Sequence, residues 1–86
     1  MADAPTFNFG PRWKEEIVCS CALGSFVLEM PMGITSVYLP TGEAWQKRAP
    51  EWAKPYYEAL REQLKAYCRE HKYPLYIDET AAVYTD

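Results

Sequence analysis

Between Glu51 and His71 the apolar residues recur at helical spacing, and Pro74 closes the pattern. At about 100° per residue, Ala53, Tyr56, Tyr57, Leu60, Leu64, Tyr67, Cys68 and His71 fall within a sector of roughly 120°. Lys54, Glu58, Glu62, Lys65 and Arg69 gather on the charged side. Glu58–Arg61 and Glu62–Lys65 are spaced to pair there, for a few tenths of a kcal/mol each. Such a helix draws its stability from burying its stripe, so the rest of the chain must supply a second layer. Pro50 and Pro55 belong in or near its first turn, where a missing N–H costs little. Trp52, Ala59, Gln63 and Ala66 form a flank whose small residues either admit another backbone or remain weakly covered surface.

The second layer reads as strands. From Glu16 to Leu39 side chains alternate: Ile17, Cys19, Cys21 and Leu23 share one face, and Val18, Ser20 and Ala22 the other. Gly24-Ser25 is placed for a turn or bulge. Phe26, Leu28 and Met30 share the next face. Pro31-Met32-Gly33 breaks the run, and Ile34 to Leu39 resumes it with β-branched and aromatic residues. Either three short strands form a meander, the reading favoured here, or one long bent strand pairs with Ile34 to Leu39. Pro40-Thr41-Gly42 ends the sheet region, and Thr41 is placed to cap a short helix through Arg48, with Glu43 in its first turn. Tyr73 to Ile77 is a last strand, Asp78-Glu79-Thr80 a turn, and Ala81 to Tyr84 a short edge segment.

The expected fold is α+β in two layers. A small, mainly antiparallel sheet of about three to four strands packs on one long helix in the C-terminal half, in the order ββ(β)αβ. Residues 1–13 read as an entry segment, partly docked through Phe7 and Phe9, with Trp13 a further apolar handle. Residues 14–86 read as a single domain. One helix covers one sheet face. The other face, with Val18, Ala22, Val27 and Tyr38, is too apolar for comfortable exposure and points to a partner or a dimer.

Composition excludes several function classes. With 49% apolar residues the chain is not disordered. Its formal charge of −3 speaks against nucleic acid, which needs cations to displace counterions, and against anionic membranes. The densest basic stretches are Lys47-Arg48 and Arg69 to Lys72, the latter interrupted by Glu70. No apolar run is long enough to span a bilayer. The leading residues lack the basic and apolar regions of a secretory signal. Three cysteines cannot all pair within the chain, which fits a reducing, cytoplasmic setting. No GxGxxG, P-loop, HExxH, EF-hand or paired CxxC pattern occurs.

Cys19, Cys21, Cys68 and His71 form the sharpest constellation. Each pair shares a face of its own element, and together they have the ligand types of a tetrahedral zinc site. The single residue between Cys19 and Cys21 is atypical spacing for such a site, and three small core cysteines with a His bonding the last carbonyls of the helix is the plainer reading. Cys21, His71 and Asp78 have the residue types of a thiol nucleophile, base and orienter, but no local signature. Asp78-Glu79 reads as a solvated turn rather than an acid–base pair. The expectation is therefore a small non-catalytic protein-binding module of adaptor, inhibitor or immunity type, acting on another protein or on itself as a homodimer. Tyr38, Trp45, Trp52, Tyr56 and Tyr76 are its candidate contact residues. A metal- or thiol-dependent protein using the Cys/His set with zinc is the alternative.

Overall fold

A computed structural model describes residues 4–12, 15–31, 33 and 35–85. Strands β1 (Asn8–Arg12), β2 (Glu16–Cys21), β3 (Gly24–Glu29) and β4 (Val37–Leu39) follow one another as antiparallel neighbours. The chain then crosses the sheet through α1 (Gly42–Arg48), a 3₁₀ helix (Glu51–Tyr56) and α2 (Tyr57–His71). It returns as β5 (Leu75–Ile77), parallel to β4, and ends in β6 (Val83–Tyr84), antiparallel to β3. Among the described residues the fold is α+β with a mixed six-stranded sheet in the order β1-β2-β3-β4-β5, β6 lying beside β3.

The meander of β2, β3 and β4 follows the reading favoured from the alternation. The strand count and element order do not, and three local causes account for the difference. Asn8–Arg12 of the entry segment pairs with Glu16–Ser20 of β2, with Phe7 and Phe9 turned to the core. Pro11 is tolerated because β1 is an edge strand, where a missing N–H costs no ladder bond. The β2–β3 turn is Ala22-Leu23, and Gly24 is already a strand residue opposite Cys21. Residues 83 and 84 reach β3 because the turn after β5 folds the chain back. The expected handle Trp13, the breaker Met32 and the first residue of the expected third strand, Ile34, lie outside the described residues.

The helical pattern divides at Tyr56–Tyr57. Pro55 has no N–H to offer Glu51, and its ring would crowd that carbonyl, so Glu51–Tyr56 winds as a 3₁₀ helix and the α-helix starts at Tyr57. Thr41 caps α1, its Oγ1 accepting from the Ala44 N–H at 3.2 Å. The Tyr57 hydroxyl donates to the Pro40 carbonyl at 2.6 Å and ties α2 to the end of β4. At the other end Lys72 takes a left-handed conformation, and the Tyr73 N–H donates to the Cys68 carbonyl at 2.8 Å. The backbone of Lys72 and Tyr73 thus closes the helix, and His71 does not.

Both helices pack on the sheet face that carries Ile17, Cys19, Phe26, Leu28, Val37 and Leu39. Trp45 sits at the centre, fully buried, edge-on to Phe26 with ring centroids 5.2 Å apart. Its Nε1–H donates to the Ala53 carbonyl at 3.1 Å, which fixes α1 against the 3₁₀ helix. On the α2 flank Gln63 accepts from the Phe7 N–H at 2.7 Å and donates to the Pro5 carbonyl at 2.9 Å. The backbone admitted by that flank is therefore the chain's own entry segment. Arg48 is likewise structural, since Nη1 donates to the Glu79 and Ala81 carbonyls and holds the last turn against α1. Among the described residues no helix is long and apolar enough to cross a membrane.

Candidate functional site

The register defines a second sheet face, turned away from the helices. Directly opposed residues share a face, so the row Val18–Val27–Tyr84 lies on it, as does the row Glu16–Glu29–Tyr38–Tyr76. Val27 is buried there, outside the main core cluster. Tyr38 and Tyr76 stack, with ring centroids 5.4 Å apart and planes 28° from parallel. Tyr76 and Tyr84 remain 48% and 47% exposed, far more than a finished core layer leaves open. Arg12 pairs with Glu16 at 2.8 Å at the polar margin.

Two of the five candidate contact residues, Tyr38 and Tyr76, thus meet on one surface. Trp45 is corrected outright: it is a fully buried core residue, because its ring packs between Phe26 of the sheet and Tyr57 of α2. Trp52 and Tyr56 are half-buried against the helix-side core. The Trp52 ring lies over Gly24 and 6.0 Å from Phe26, so it belongs to the opposite layer from the tyrosine pair. Ala22, expected on the second face, sits in the β2–β3 turn. Sequence reasoning missed Tyr84, whose place on this face depends on β6 returning to β3.

The cysteine set is not assembled. Cys19 and Cys68 are both buried in the core, where burial pushes the Cys68 thiol up to about 11 and the Cys19 thiol higher still. His71, one helical turn on, is exposed and lies between Tyr67 and Tyr73, at centroid distances of 4.3 and 5.6 Å. Among the described residues no three of His, Cys, Asp and Glu stand where they could hold a metal. The Cys21–His71–Asp78 arrangement fails on distance, because β2 and β5 stand three strand spacings apart, about 14 Å. Asp78 instead accepts from the Thr80 N–H and hydroxyl at 2.8 and 2.7 Å, and these bonds hold its carboxyl below the usual range.

The three thiols are free, and only Cys21 is partly accessible. At about pH 8 iodoacetamide is expected to modify Cys21 in the folded chain and to spare Cys19 and Cys68 until denaturant is added, because the thiolate is the reacting form. Tandem mass spectrometry reads this, because fragment ions place the label on Cys19 or Cys21 within the tryptic peptide they share, and Cys68 lies in a peptide of its own. Rapid labelling of Cys68 in the native protein would contradict its buried, protonated state.

A groove of about 460 Å³ opens between α2 and β5. Arg61, Lys65 and Arg69 line its helix side, and Cys68, Leu75 and Ile77 its floor. The contiguous basic stretches looked for in the sequence do not reveal it; the signal is a spacing of four between cations along one helix. Comparison of the chain with known protein families, with curated proteins and with solved structures found no match.

Proposed function

We propose that the chain is a non-catalytic protein-binding module that meets its partner, another protein or a second copy, through the sheet face turned away from the helices. The observation that carries this reading is the stacked Tyr38–Tyr76 pair, with Tyr76 half exposed and the row Val18–Val27–Tyr84 on the same sheet face. Tyrosine suits such a face because its ring supplies apolar area while its hydroxyl tolerates water before binding. A buried Val27 beneath half-open tyrosines gives the patch a firm, pre-ordered base, which lowers the ordering cost of association. The free state of all three cysteines supports placing the protein in a reducing compartment.

Tyr76→Ser is expected to leave the melting temperature within a few degrees, since the side chain is half exposed in the isolated chain. The same substitution is expected to weaken association at least about tenfold, the cost of one interface anchor. Sedimentation tests self-association, and a photo-crosslinking residue at position 76 tests capture of another protein in the producing cell. A chain that stays monomeric at high concentration and gives no cross-link from position 76 would rule the reading out.

A further inference from the structure

We propose that the open edge of β5 takes up an extended acidic segment of a partner protein, with acidic residues at every second position facing α2. The inference rests on the reading of the chain as a protein-binding module and names a partner chemistry at a second surface.

Among the described residues β5 ends the sheet, with β4 on one side only. The Val37 N–H donates to the Pro74 carbonyl and the Asp78 N–H to the Leu39 carbonyl, both at 2.9 Å. Residues 74, 76 and 78 therefore turn their backbone groups to β4. Alternation turns the N–H and C=O of Leu75 and Ile77 outward, where an added strand would find them. The groove lies beside that edge. Ile77 is 48% exposed and, with Leu75 and Cys68, forms an apolar floor.

Charge and spacing select the occupant. Arg61, Lys65 and Arg69 stand in a line along an otherwise acidic chain. Successive members are four residues apart on the helix, a rise of about 6 Å. Alternate side chains of an extended strand are about 6.6 Å apart, so each second residue of a docked segment meets one cation. Arg61 now pairs with Glu58 at 2.8 Å, and Lys65 with Glu62 at 3.8 Å. These are solvent-exposed pairs within one helix, worth about 0–1 kcal/mol, and a carboxylate from the partner can replace them. Arg69 is exposed and holds no ion pair among the described residues. The residues of the segment that point the other way would lie beside Tyr76. A peptide backbone fits the outward hydrogen-bonding groups of Leu75 and Ile77, whereas a nucleic-acid strand has no matching ladder and would meet a chain of charge −3.

The test pans a displayed library of random peptides of about ten residues against the full chain. Recovered peptides are expected to carry Asp or Glu at alternate positions and to slow hydrogen exchange at Leu75 and Ile77. Lys65→Glu with Arg69→Glu, both at exposed positions, is expected to weaken them at least about tenfold while leaving the melting temperature nearly unchanged. Binders without acidic bias, failure to recover any binder, or tighter binding of an oligothymidylate of similar length would overturn the inference. Binders that are lost in Tyr76→Ser but kept in the charge-reversed variant would also overturn it, while leaving the protein-binding reading of the other face intact.

Discussion

Trp45→Ala is expected to remove about 3–5 kcal/mol of stability, the usual cost of deleting a large buried aromatic. A chain of this length has about 4–13 kcal/mol in all, so the loss amounts to about a quarter of its stability at the least and to all of it at the low end of that range. The size of the effect follows from what the indole joins. It fills the space between α1 and the sheet, meets Phe26 edge-on and Tyr57 at 5.8 Å, and ties the Ala53 carbonyl. Trp45→Phe keeps much of the volume but leaves that carbonyl without its donor. It should therefore lose measurably less than the alanine variant and more than a conservative swap at the surface. Urea titration followed by circular dichroism measures both. A loss below about 1.5 kcal/mol for Trp45→Ala, less than a typical core truncation, would mean that the core closes without it.

Among the four glycines, Gly24 is the one whose replacement by alanine is expected to cost most. The backbone there has φ +156°, a conformation that costs a residue with a side chain about 1–3 kcal/mol. An added Cβ would also lie 2.9 Å from the Trp52 ring, a contact that the packed indole must relieve by moving, for about 1–3 kcal/mol more. The two contributions separate in a double-mutant cycle. In a Trp52→Ala background only the backbone cost remains, so Gly24→Ala should be milder there by about 1 kcal/mol or more. Equal costs in both backgrounds would show that the ring is not the obstacle.

Local chemistry was readable wherever neighbours in sequence decide it. Thr41 as a cap, Pro50 and Pro55 near a helix start, the stripe from Ala53 to Cys68 and the alternation around Ile17 and Leu28 each follow from steric and hydrogen-bonding rules acting over a few residues. The same rules under-read residues 8–12, because Gly10-Pro11 looks like loop punctuation until an edge position removes the need for the Pro11 N–H. They also over-read Trp45. An aromatic on a seven-residue helix carries no mark of which layer will cover it, and here the sheet does.

The candidate surfaces divide along the same line. Tyr38 and Tyr76 could be named as contact residues from their type and strand pattern, and their shared face follows once β4 and β5 are neighbours. That neighbourhood is a parallel pairing across the 35 residues, 40–74, that separate β4 from β5, set by how α2 lies on the sheet. Lys65 and Arg69 were read as part of the charged helix face and Arg61 only as a partner of Glu58; the three become a groove wall only because β5 ends the sheet beside them. The grouping of Cys19, Cys21, Cys68 and His71 failed for a related reason. Equal spacing on two elements does not bring their faces together, and Cys68 turned inward while His71 stayed with Tyr67 and Tyr73. Sequence by itself determined that this chain forms a helix and strands with more apolar surface than one helix can cover. Tertiary structure alone decided which of that surface closes over the core and which stays open. Burial depends on contacts between residues far apart in the chain, and the periodicity of a single element records which face is apolar but not what it will meet.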